Sequence, residues 1–392
     1  MIYVHVPFCR SFCTYCDFYS EVAARCTKAE DALKQEVLFE RYAEALSAEV
    51  RTRMGEIQDV RTRGGVNTLY IGGGTPSVLP LGVLKRILGA LRDIGVTGGF
   101  KEFTMEVNPE DIVDKGTAYV EGLLDMGVNR ISMGVQSFDD PILKWMNRRH
   151  DGDTAVRAYR ILEDAGVRNI SIDLIFGLPQ LSDALWRETL DKALSISARG
   201  VCPQHISSYQ LSVEPGSMLA RLVERGKWTE ASEDLCQRQY SILCETLAAA
   251  GYHHYEISNF AQPGYEAVHN SAYWQHIPYV GLGPGAHSFV GGRYRQWNEE
   301  SLEAYLNAAE AEGFSTVCGR EELDAEQMSM EKVMLALRTS SGMPEMNLRE
   351  CCDDKALDKA FGCGDLMRQP DGTVRIPESR FFVSDNIISS IV

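Results

Sequence analysis

The sequence predicts an α/β fold in which six βα units curve a parallel sheet into an incomplete barrel, followed by a smaller α+β domain. Three observations carry this. Short strand-like runs recur along the first two thirds of the chain, each followed by a longer helical segment; within the runs apolar and polar residues alternate; and beyond about residue 320 the pattern gives way to short helices and a hairpin. With 392 residues, 44% of them hydrophobic and 24% charged, the chain can bury a large core and holds two or three domains.

The runs are 2–6, 67–71, 102–108, 130–137, 169–176 and 205–213. The helical half of the repeat is plainest at 182–198, where Ser182 can cap and Trp186, Leu190, Ala193 and Leu194 fall at i, i+4, i+7 and i+8 on one face. Six such units suit a barrel, and on periodicity alone an open doubly wound sheet is the alternative. Alternation then sorts the strand faces. Phe103, Met105 and Val107, then Ile131, Met133 and Val135, then Ile172 and Leu174 form the apolar phase, and packing it on the helices turns Tyr3, His5, Glu106, Gln136 and Asp173 to the inside. Several of these lie toward the C-terminal ends of their strands, where barrel sites are built. The alternative is that each faces solvent at a sheet edge.

The expected boundaries are 1–290 for the barrel and an extension, 291–320 for a helix at 301–313 and a linker at 316–320, and 321–392 for the last domain. There, 328–338 reads as an amphipathic helix with Met330, Val333, Met334 and Leu337 on one stripe, and 372–377 with 381–391 as a hairpin and a final helix.

The chemistry begins with Cys9, Cys13 and Cys16, in Cys-Arg-Ser-Phe-Cys-Thr-Tyr-Cys. A C-x3-C-x2-C triad can hold three irons of a [4Fe-4S] cluster and leave the fourth open to a molecule with an amine and a carboxylate, a description that S-adenosylmethionine (SAM) fits. Two other readings exist: a zinc site that adds His5, and a ferredoxin-like electron carrier that adds Cys26 as fourth ligand. Eleven cysteines, an odd number, point to a reducing compartment, and those outside the triad, including Cys351 and Cys352, read as ordinary thiols. Thirty-nine basic against fifty-five acidic residues, a formal charge of −16, repel a nucleic-acid backbone. Residues 1–8 lack the basic start and apolar length of a secretory leader, and no stretch approaches the ~20 apolar residues of a membrane span, so a soluble cytoplasmic protein is expected. In Ile71-Gly-Gly-Gly-Thr-Pro-Ser77, three glycines between a strand and a helix let backbone approach a ligand, with Thr75 adding a hydroxyl.

The cysteine triad and the Gly-Gly-Gly-Thr-Pro element together resemble the radical SAM superfamily. Within it, Val4-His-Val-Pro-Phe-Cys9, Ser132-Met-Gly-Val-Gln-Ser137 and Asp173-Leu-Ile-Phe-Gly-Leu-Pro179 resemble the oxygen-independent coproporphyrinogen III oxidases and their relatives, the HemW haem chaperones. The resemblance implies a radical SAM barrel with a winged-helix-like C-terminal domain. It implies SAM contacts at Tyr3, Gly73, Thr75, Glu106, Gln136, Arg148 and Asp173, with Phe18 near the adenine or the cluster. The oxidases carry another cysteine two residues after the third, where this chain has Phe18, and an N-terminal arm ahead of the cysteines, which here begin at residue 9, so that arm is not expected. Five of the eight histidines, His253, His254, His269, His276 and His287, fall within thirty-five residues. His269-Asn270-Ser-Ala-Tyr273-Trp274 matches the H-N-x-x-Y-W element associated with haem in HemW proteins, which implies His269 as axial ligand with Asn270, Tyr273 and Trp274 around it. Read without the family, the same stretch is a hydrogen-bonded turn with two core anchors. The implied activity is haem transfer to an acceptor haemoprotein, a respiratory enzyme among the implied acceptors. An electron donor such as flavodoxin or ferredoxin, peripheral membrane contact and a monomeric or homodimeric state complete the expectation. Oxidative decarboxylation of coproporphyrinogen III is the enzymatic alternative.

Overall fold

A computed structural model of the chain describes residues 1–22, 29–63, 65–311 and 315–392. The six runs become β1 (Ile2–Val6), β2 (Thr68–Gly73), β3 (Glu102–Val107), β4 (Arg130–Gln136), β5 (Ile170–Phe176) and β6 (His205–Gln210). Each pairs in parallel with the next, so the strand order never reverses as it does in a doubly wound sheet. Three short strands extend the sheet: β7 (His253–Glu256) and β8 (Asn259–Ala261) add an antiparallel hairpin beside β6, and β9 (Val280–Leu282) pairs in parallel with β1. Along the sheet the order is β9-β1-β2-β3-β4-β5-β6-β8-β7, with β9 and β7 at its two ends.

Packing follows the alternation. Ile131, Met133 and Val135 on β4, and Phe103, Met105 and Val107 on β3, are all under 5% exposed against the outer helices. Burial of such a side chain contributes ~1.5–3 kcal/mol. The helix Pro109–Asp125 starts where Asn108 accepts a bond from the Glu110 amide, with proline at its first position. Ser182 caps Asp183–Leu194 as expected, and Trp186, Leu190 and Ala193 on that helix are fully buried.

Because the apolar phase is spent outward, the inside of the sheet is polar and must be filled by something that satisfies it. The helix Val268–Trp274 does so. The Glu102 carboxylate of β3 accepts from the amides of Val268 (2.7 Å) and His269 (3.0 Å), and Thr68 of β2 bonds to the His269 ring.

Several expectations are corrected. Residues 316–320 are not a linker: Val317–Glu322 is a strand, β12, paired with β11 (Tyr294–Asn298), which in turn pairs with β10 (His287–Val290). The boundary at 290 therefore falls inside a hairpin. The helix expected at 301–313 runs over Leu302–Ala309, and residues 312–314 lie outside the described residues. In Ala325–Ala336 and the turn after it, Val333 and Leu337 are buried while Met330 and Met334 are each 38% exposed, so the four do not form one stripe. The C-terminal domain runs helix (Ala325–Ala336), strand (Met343–Pro344), helix (Glu345–Cys351), helix (Asp354–Cys363), then the strands Met367–Arg368 and Thr373–Arg375, an order that suits a winged helix. It docks on the β7 end of the sheet, where Ile257 donates to the Arg338 carbonyl and Ser340 to that of Tyr255. No helix among the described residues is long and apolar enough to cross a membrane.

Candidate cofactor site

The loop that carries the cysteines leaves β1 and is tied to the segment after β4. Thr14 donates through its amide to the Met146 carbonyl (3.0 Å) and through its hydroxyl to that of Trp145 (2.8 Å), and the Asn147 side-chain Nδ2 donates to the Phe12 carbonyl (2.6 Å). These bonds turn Cys9, Cys13 and Cys16 onto one wall of a cavity of about 390 Å³ at the C-terminal ends of the strands. Thr75 Oγ1 lies 3.4 Å from Cys9 Sγ, and Arg148 Nη1 3.3 Å from Cys13 Sγ.

The glycine run forms the facing edge. Gly73 has a φ of 106°, and a Cβ there would stand 2.6 Å from the His5 ring; at Gly74 it would stand 2.8 Å from the Phe8 carbonyl oxygen and 3.1 Å from Cys9 Sγ. Bare backbone is thus the condition for the cysteine loop and β2 to meet. Below this edge Glu106 accepts from Tyr70 Oη (2.7 Å) and the Gly73 amide (3.1 Å), and Asp173 accepts from Ser132 Oγ (3.2 Å). Gln136 reaches the cavity from a backbone bulge with a φ of 68°. Arg148 donates to the Gly134 carbonyl (2.6 Å).

Burial pushes the Glu106 carboxyl up to about 7 against its hydrogen bonds, and that of Asp173 to about 6. It also raises the Cys9 thiol, and that of Cys16 to about 12, so these sulfurs stay protonated until a cation displaces the protons. Among the described residues no three His, Cys, Asp or Glu side chains close round a single ion. The thiols are spread over a wall instead, and His5 is held elsewhere, by Tyr3 Oη (3.0 Å) and the Tyr19 carbonyl (2.8 Å). Three separated soft donors fit a cluster in which each thiolate takes a different iron, better than they fit a tetrahedral zinc with His5. Cys26 lies outside the described residues.

Residues 3–193 match the model of the radical SAM superfamily. The chain is 32% identical over 375 residues to "Heme chaperone HemW" of Synechocystis sp., an alignment covering 92% of this chain and 84% of that protein. The chain belongs to the HemW family of radical SAM proteins. "Heme chaperone HemW" of Bacillus subtilis is 31% identical (89% of this chain, 86% of that one), and "Radical S-adenosyl methionine domain-containing protein 1, mitochondrial" of Danio rerio is 29% identical (100% and 86%). Among solved structures, coproporphyrinogen III oxidase (HemN) from Escherichia coli shares the fold, with a TM-score of 0.78 at 21% identity over 99% of this chain and 89% of that one. Family membership brings a [4Fe-4S] cluster and SAM as cofactors.

Of the residues singled out in the sequence, Cys9, Cys13, Cys16, Phe18, Gly73, Thr75, Glu106, Gln136, Arg148 and Asp173 all line the cavity. Tyr3 does not; its hydroxyl is used on His5, beneath the glycine edge. The haem motif is divided. Asn270 lines the cavity, whereas the His269 ring is 1% exposed, with Nδ1 2.8 Å from Thr68 Oγ1 and Nε2 2.9 Å from Tyr273 Oη. Burial lowers its pKa to about 3. With both nitrogens hydrogen-bonded, the His269 ring is packed as the residues read without the family imply. Tyr273 packs edge-on against Tyr279 at 4.7 Å rather than presenting a face to a ligand. Tyr70 and Arg130 are among the lining residues that the sequence reading did not single out. Both lie on the inward side of their strands, with Arg130 in the same phase as Ser132 and Gln136, so alternation carried to the strand starts would have found them.

Proposed function

We infer that the chain carries its cluster on Cys9, Cys13 and Cys16, holds SAM in the adjoining cavity, and binds haem and passes it to an acceptor haemoprotein. The observation that supports the cofactor half is the one cavity shared by three thiols, a glycine edge, an arginine and two buried carboxylates. Gly73 and Gly74 bring the cysteine loop against β2 at the cavity edge, with Thr75 beside them. Arg148 offers a fixed positive charge to a carboxylate, and Glu106, Gln136 and Asp173 offer partners for an amine and for hydroxyls. Phe18, 65% exposed at the mouth, supplies apolar surface for a purine. When bound, cluster and SAM supply reductive cleavage of a carbon-sulfur bond; the side chains orient the ligand and restrict water.

The haem half is supported by the names of relatives that align over most of the chain. Coproporphyrinogen oxidation draws on a shared fold alone, and the position of the oxidases' extra cysteine is Phe18 here. Hemin titration and a coproporphyrinogen assay on one anaerobically reconstituted preparation separate the two. We expect a Soret band, haem transfer to an apo-haemoprotein and no protoporphyrinogen. Absence of the band, or steady substrate conversion, overturns the reading.

A further inference from the structure

Among the described residues two arginines are buried, and the fold treats them differently. Arg53, 6% exposed, has its guanidinium closed in by Glu49 (3.0 Å), Glu56 (2.8 Å), the Gly281 carbonyl (2.7 Å) and Ser288 Oγ (2.9 Å). Arg130, 2% exposed, has no such cage. Its Nε is buried without a hydrogen-bonding partner, and the side chain makes no ion pair or hydrogen bond among the described residues. Taking a guanidinium out of water costs stability unless a counter-charge offsets it. The acids that feel its charge are already engaged, Glu106 by Tyr70 and the Gly73 amide, and Asp173 by Ser132.

Position indicates what is missing. Arg130 begins β4, in phase with Ser132, Gly134 and Gln136, and lines the same cavity as the cysteines. Arg148 serves the cysteine end, where it donates to the Gly134 carbonyl and stands 3.3 Å from Cys13 Sγ. Arg130 starts four residues earlier on that strand face, about 13 Å of strand rise, at the inner end of the cavity. Asn270 of the interior helix lines the cavity too, and its side-chain amide has no partner among the described residues. Thr68 and Tyr273 fix the neighbouring His269 ring, and Glu102 fixes the amides of Val268 and His269, so Asn270 projects from a rigid base. A free guanidinium and a free amide on one cavity offer the fork of donors that a carboxylate takes.

We propose that Arg130, together with Asn270, is the receptor for a ligand carboxylate at the inner end of the cavity, and that a haem propionate fills it. The assignment deepens the haem-carrier reading and rests on it; the carboxylate of SAM is the other source of the same chemistry. The test titrates the reconstituted full chain, Arg130→Met, Arg130→Lys and Asn270→Ala with hemin, with hemin dimethyl ester, whose propionates are blocked, and with SAM. Wild type should bind hemin about tenfold more tightly than the ester. Arg130→Met should lose that preference, Arg130→Lys and Asn270→Ala should each keep part of it, and SAM affinity and cluster iron should match wild type throughout. Weakened SAM binding with hemin unchanged would give the subsite to the SAM carboxylate and overturn the propionate assignment. An equal loss for hemin and ester would also overturn it, marking Arg130 as structural. Should Arg130→Met fail to fold, wild type alone decides, since hemin and ester bound equally well refute the proposal. A wild type with no Soret band for either sinks the haem-carrier reading itself.

Discussion

The cysteine loop and the helix Val268–Trp274 both carry motifs that point to iron, yet the fold treats them in opposite ways. The loop lies at the C-terminal ends of the strands, its thiols on a cavity wall, with Thr75 close to the Cys9 sulfur and Arg148 to that of Cys13. The helix lies inside the barrel, and its histidine is consumed in joining Thr68 to Tyr273. The difference is set by what each region must satisfy. A polar barrel interior demands a partner for every buried group, so an imidazole placed there is used up by structure. A thiol at the rim makes no such demand and remains available to a metal.

Substitution in the two regions should therefore fail differently. The largest effect belongs to the loop. Cys13→Ala should lose nearly all cluster iron and sulfide after reconstitution while keeping the melting temperature of the apo form, because the side chain contributes little packing. An equal iron content in variant and wild type would break the contrast.

His269→Ala tests the other side. It removes a buried ring and strands the hydroxyls of Thr68 and Tyr273, at a cost of about 2–4 kcal/mol of stability. Denaturant unfolding should show that loss, with cluster content per folded protein retained. A variant as stable as wild type, with hemin binding abolished, would return His269 to the role the motif implied.

The same two regions show what was legible in advance. All six parallel strands could be read because burial of one face leaves a period-two signature over at least five residues, and the inward phase led directly to Glu106, Gln136 and Asp173. β7, β8 and β9 run three or four residues each, too short to show a period. Val317–Glu322 is polar along most of its length and passes for a linker, since its strand character comes from pairing with Tyr294–Asn298. The helix Val268–Trp274 was ambiguous for a different reason. Its histidine, asparagine and aromatics would mark a ligand site on a surface, and only the tertiary position of Glu102 and Thr68 shows that they face a polar interior.

The smallest and most diagnostic effect concerns pH. Glu106 lines the cavity that we assign to SAM, and burial raises its carboxyl from 4.5 to about 7. The sign is fixed by that direction. The neutral acid prevails below about pH 7 and the carboxylate above it, and only the carboxylate attracts a cationic ligand. SAM affinity of the reconstituted protein should therefore rise roughly tenfold between about pH 6 and 8, the range over which most of the group ionises. Glu106→Gln should flatten that rise and leave the weaker, low-pH affinity in place. The amide oxygen can still accept from the Gly73 amide while its NH2 donates to Tyr70 Oη, so the cavity wall keeps its shape and the comparison isolates charge. A pH profile unchanged by Glu106→Gln would place the ionising group elsewhere, with Asp173, raised to about 6, the next to test by the same substitution.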